Sequence, residues 1–157
     1  MKKLITMSAA IVLQSACHAP APSTATTTAP RPVATNSGLT GAADPAAAVR
    51  TFMAAAKQQD LQALGGVWGD ANGPARDAIA REELERRELI MLKCLRHDRY
   101  DVVGDAPGAA GARVLAVAIT YKEISQSTNF TVVRGPSNRW YVEKFDIEAV
   151  QKLCVAP

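Results

Sequence analysis

The sequence predicts an α+β domain: three N-terminal helices packed on a curved four-stranded antiparallel sheet, closed by a short C-terminal helix. Three observations predict it. Apolar residues recur at helical spacing from residue 44 to about residue 95, and beyond Asp98 the period changes to two. Ahead of both, the chain from His18 to Ala43 has no aromatic residue and a single charge, Arg31, so the composition shifts sharply at Asp44. A chain of 157 residues, 48% hydrophobic and 21% charged, suits one such domain with extra chain in front of it.

Basic Lys2 and Lys3 precede Leu4 to Leu13 (LITMSAAIVL), an uncharged run too short to span a bilayer, the pattern of an export signal. Residues 1–16 are read as that signal. Without Lys2 and Lys3 the basic count falls from 18 to 16 against 15 acidic residues. No basic tract then remains to recruit nucleic acid. Residues 17–43, with PAPSTATTTAPRPVATNSG at their centre, are too poor in apolar area to offset the entropy of ordering and read as a flexible tether. Its reach is on the order of 30 Å.

The domain is expected over residues 44–157. Asp44-Pro45 is an N-cap followed by proline at the first helical position. Val49, Phe52, Met53 and Ala56 give the first helix one apolar face, and Asp60 caps a second, short helix presenting Leu61, Leu64 and Trp68. After a turn at Asn72-Gly73-Pro74, strong helix formers predict a third helix from Ile79 to Leu95. Leu84, Met91, Leu92 and Leu95 line its inner side, and Glu82, Glu83, Glu85, Arg86 and Arg87 form a solvated, ion-paired outer face. Strands follow at Tyr100–Gly104, Arg113–Lys122, Asn129–Arg134 and Trp140–Phe145, separated by Gly-Ala-Ala-Gly, Ser-Gln-Ser and Gly-Pro-Ser-Asn. A last helix, Ile147–Leu153, packs Val150 and Leu153 back on the sheet.

Two resemblances add to this reading. Ser15-Ala16-Cys17 resembles the lipobox of bacterial lipoproteins, with Gln14 where an apolar residue is usual. It implies cleavage before Cys17, acylation of that cysteine, and a lipid membrane as partner. His18 after the cysteine then implies an outer-membrane address facing the periplasm. The alternative is soluble export by cleavage after Ala21. The run AVRTFMAAAKQQDLQAL, an Asp-initiated short helix with Trp68, and strands ending RWYVEKF resemble the nuclear transport factor 2-like superfamily over nearly all of residues 44–157. That resemblance implies a sheet wrapping helices into a cone, a fold that serves isomerases, dehydratases, ligand binders and pure interaction modules.

In an exported protein Cys94 and Cys154 are expected to form a disulfide. With neither CxxC nor a histidine cluster, no metal site is expected, and no cofactor is implied. His97 is the one imidazole in residues 44–157, so with Asp98 it is the candidate for acid–base chemistry, against a default of solvated loop. Phe52, Trp68, Trp140 and Tyr141 are the candidate lining of a pocket. In cone-shaped enzymes a polar residue faces inward, which makes Tyr121, Glu123, Tyr141 and Glu143 relevant. Strict alternation groups Tyr141 with Glu143, and Trp140 with Val142 and Lys144. Two functions follow as expectations: a tethered, non-enzymatic module for an envelope protein, or a pocket for a small hydrophobic ligand or substrate.

Overall fold

The computed structural model describes residues 40–156; the signal, Cys17 and the tether as far as residue 39 lie outside the described residues. The architecture is α+β. Helix α1 (Pro45–Gln58) leads into α2 (Leu61–Val67), a small hairpin of β1 (Gly69–Asp70) with β2 (Gly73–Pro74), the one-turn α3 (Ala75–Ala78), and α4 (Arg81–Cys94). The main sheet follows as β3 (Arg99–Pro107), β4 (Arg113–Tyr121), β5 (Ile124–Arg134) and β6 (Trp140–Phe145), antiparallel and paired in chain order. A 3-10 turn at Glu148–Val150 and α5 (Gln151–Cys154) complete it.

Local chemistry sets the helix starts. Asp44 accepts a hydrogen bond from the Ala47 amide and Asp60 one from the Ala63 amide, satisfying two amides that have no partner within their helices. Gln59, in the left-handed region at φ 56°, ends α1 and turns the chain directly into α2. Val49, Phe52, Met53 and Ala56 are all buried, as their spacing predicts. They pack on Leu115, Val117 and Ile119 of β4, on Phe130 and Val132 of β5, and on Val142 of β6, within one apolar cluster. Phe52 meets Phe130 and Phe145 edge-on, at centroid distances of 5.9 and 6.4 Å.

Four sequence expectations need correction. Ser125-Gln126-Ser127 does not separate strands: it lies inside β5, and the β4–β5 connection is the two-residue turn Lys122-Glu123. Lys122 takes φ 53° there, and its amide donates to the Asp98 carboxylate. Strict alternation fails in β6, because Thr131 faces Lys144 while Val132 faces Val142, leaving Glu143 as a bulge. Val142 and Phe145 therefore share the buried face, and Lys144 is exposed. The turn at Asn72-Gly73-Pro74 continues into α3, which delays the long helix to Arg81.

Finally, ordered pairing begins before Asp44. Ala42 exchanges both backbone hydrogen bonds with Trp140, and Arg139 donates to the carbonyls of Thr40 and Gly41. Gly41 has φ 66°, and a Cβ there would meet the Tyr141 ring at 2.8 Å, so only glycine fits this crossing.

Cys94 and Cys154 sit at disulfide distance, joining α4 to α5 across a sequence separation of 60. A loop of that length contributes about 4 kcal/mol in the chain-entropy account. The double variant Cys94→Ala/Cys154→Ala is expected to lose about 2–5 kcal/mol in urea unfolding relative to the oxidised protein. An unchanged midpoint would show that the pair is not bridged in solution.

Candidate functional site

His97 and Asp98 are adjacent in sequence but serve different structural ends. His97 is 7% exposed, between α4 and β3, with its ring edge-on to Tyr100. Its Nδ1 donates to the Leu95 carbonyl at 2.8 Å, which fixes the neutral tautomer. Burial, aided by the nearby Lys57 ammonium, holds its pKa below the ordinary value, while the bond to Leu95 opposes that shift. Asp98 supplies three contacts to the fold. Its amide donates to Thr120, its carbonyl accepts from Lys57 Nζ, and its carboxylate takes the Lys122 amide. The expectation of a solvated loop at His97 is corrected: the ring is packed.

The four candidate pocket aromatics are not gathered around one space. Phe52 is fully buried among Phe130 and Phe145. Tyr141 is 1% exposed, its hydroxyl hydrogen-bonded to Thr40, and Trp140 lies under the Arg134 guanidinium at 4.7 Å. Trp68 lies at the end of α2, where its indole N–H donates to the Glu143 carbonyl, and it flanks a shallow groove beside β1 and α3. Among the described residues, no cluster of three or more His, Cys, Asp or Glu is placed to hold a metal ion.

The group that stands out was not singled out by its sequence. Glu88 is 1% exposed, and its Oε1 has no hydrogen-bond partner. It belongs to α4, in register with Leu84, Met91, Leu92 and Leu95, so the carboxyl lies on the apolar stripe rather than on the ion-paired face. That outer face is present as expected, with Arg81–Glu85, Arg86–Glu83 and Arg87–Glu83 pairs. Spacing was the available signal: Glu88 occupies the i+4 position from Leu84 and the i−3 position from Met91.

Glu88 is one of the residues lining a cleft of about 280 Å³ between α2, α3 and α4, and the most buried of its charged ones. Arg76, Asp77, Arg81 and Glu85 provide its charged wall, and Leu61 and Leu84 its apolar one. The carboxyl packs against α2 where that helix carries glycine: a Cβ on Gly65 would stand 2.7 Å from Glu88 Oε1. Burial, with a smaller contribution from the like charge of Glu85, raises the Glu88 pKa to about 7. Near neutrality the group can therefore either donate or accept a proton.

No known protein family, curated protein or solved structure matches the chain. The site stands on its own geometry.

A raised carboxyl pKa means that the unfolded chain binds fewer protons than the native one between the two pKa values, so stability falls as pH rises. For Glu88 that window runs from 4.5 to about 7. The full effect is about 3 kcal/mol. His97 acts in the opposite sense, because its lowered pKa costs stability as pH falls below the ordinary histidine value. Glu88→Gln is expected to match the parent near pH 4.5 and to exceed it by about 3 kcal/mol at pH 8, in urea unfolding across that range. Parallel stability profiles for the two proteins would contradict a buried, unpaired carboxyl.

Proposed function

We propose that the chain is an envelope lipoprotein anchored through acylated Cys17, whose folded part is a non-enzymatic interaction module of the nuclear transport factor 2-like kind. The filled inner face of the sheet carries the reading. In a cone-shaped enzyme that face surrounds the substrate, whereas here Phe52, Phe130, Phe145, Leu115 and Val117 occupy it. The helices laid over a four-stranded antiparallel sheet support the resemblance. His97 and Asp98, engaged in packing and turn formation, add no support for acid–base chemistry there.

A partner surface is available on α4. Leu89 and Ile90 are 57% and 55% exposed, and Leu89 borders a groove of about 390 Å³ with Leu61 and Leu92, edged by Lys93 and Arg96. Its chemistry suits an apolar anchor with an acidic flank on another envelope protein. The tether would hold this surface off an outer membrane facing the periplasm, with several acyl chains giving stable attachment. Among the described residues no helix is long and apolar enough to cross a membrane. A ligand-binding reading is favoured by one observation, the buried Glu88 carboxyl without a hydrogen-bond partner in the lining of its cleft.

In the producing bacterium, a palmitate analogue is expected to label the protein, and Cys17→Ser to abolish the label and move the protein from membrane to soluble fractions. Retention of the variant in the membrane would overturn the anchor. A photoreactive residue replacing Leu89 is expected to give a discrete adduct with one envelope protein. The same probe at Val155, 75% exposed, is expected to give none. Equal labelling from both positions would remove the case for a partner surface on α4.

A further inference from the structure

Glu88 poses a question that the fold does not answer. A buried carboxyl normally finds a donor, and leaving one unmade costs about 1–3 kcal/mol. Here Oε1 has none, although Arg76 and Arg81 border the same cleft. Arg81 is bound to Glu85 at 2.7 Å. Arg76 approaches Asp77 only at 4.0 Å, the outer limit of an ion pair. The cleft thus has an acceptor without a donor and a guanidinium with a weak partner.

The wall facing them is deliberately short of side chains. Gly65 and Gly66 fall within α2, where each glycine costs about 1 kcal/mol of helix stability relative to alanine. A Cβ on Gly65 would press on Glu88 Oε1 at 2.7 Å and touch Arg76 Cβ at 3.5 Å. A Cβ on Gly66 would lie 3.4 Å from Arg76 Nη1. Both charged side chains therefore lie along the glycine pair, and bulk at Gly65 would displace the carboxyl.

We propose that the cleft between α2, α3 and α4 binds a small zwitterionic amine of the amino-acid class, with its ammonium on Glu88 and its carboxylate on Arg76. Leu61 and Leu84 form the apolar wall for a short aliphatic side chain. An ammonium supplies the donors that Glu88 lacks, and its charge favours the ionised carboxylate. A simple anion is disfavoured by Glu88 itself. The cleft of about 280 Å³ is at the small end for ligand sites, which suits a molecule of this size. The inference rests on the cleft alone and is independent of the membrane anchor and of the surface at Leu89.

The test is an amide NMR titration of the full-length chain with L-leucine and with its two halves, isoamylamine, which keeps the cation, and isocaproate, which keeps the anion. Leucine is expected to shift the Gly65, Gly66 and Arg76 signals saturably, with isoamylamine about tenfold weaker and isocaproate inactive. Glu88→Gln, which preserves shape, is expected to abolish binding of both amines. Arg76→Ala, a change at a more exposed side chain, is expected to weaken leucine to the level of isoamylamine while leaving isoamylamine itself unchanged. Leucine binding is also expected to tighten from pH 5 to pH 8, as Glu88 ionises. The proposal fails if neither amine shifts these signals saturably up to about 50 mM, corresponding to affinity too weak to matter. It fails equally if Glu88→Gln, with the rest of its spectrum intact, binds as the parent does, or if isocaproate binds as well as leucine.

Discussion

Phe52 seated against the stacked pair Phe130 and Phe145 is the contact on which the rest of the domain depends. The two sheet rings stack at 5.4 Å, and Phe52 of α1 meets both edge-on, tying the first helix to the last two strands. Edge-to-face contacts of this kind add to the large apolar area that aromatic rings bury. The arrangement requires Phe145 to point inward together with Val142, three positions away. Period-two geometry forbids that pairing, and the bulge at Glu143 restores it. A single extra residue in β6 thus decides which side chains form the core.

Once α1 is fixed across the sheet, the other elements have defined places. Gln59 reverses the chain into α2 without a loop, and the indole of Trp68 ties the end of α2 to β6. Ala42 pairs with Trp140 and Trp68 bridges to Val142, so the first half of β6 is covered where it would otherwise present an open edge. β3, on the other side of the sheet, is guarded differently: Val103 bulges there, and Asp101 and Asp105 put charge along it. The disulfide then holds α4 to α5, against the same core.

Legibility in the sequence followed the strength of local signals. Asp44 and Asp60 announced their helices because a side-chain cap acts within three residues. The α1 stripe was legible because four apolar residues at helical spacing have one way to be buried together. The β4–β5 turn has no local signal, since Ser-Gln-Ser carries turn chemistry whereas Lys122-Glu123 does not. What stabilises that turn is Asp98, remote in sequence. His97 and Asp98 looked like chemistry because polar residues at a helix-to-strand junction are often exposed. Burial of the ring and three separate uses of Asp98 were decided by elements that converge from elsewhere.

The sequence by itself determined the α+β class, the strand order and the starts of α1 and α2, because periodicity and capping are interactions between near neighbours. It also determined the ion-paired outer face of α4, through contacts three and four residues apart. Tertiary structure alone decided that Glu88 has no partner. Its position on the apolar stripe was written in the spacing, but the missing donor depends on where Arg76 arrives from α3 and on Gly65 offering no side chain. The register of β6 was also decided there, since a bulge is a property of two strands together and neither strand encodes it alone.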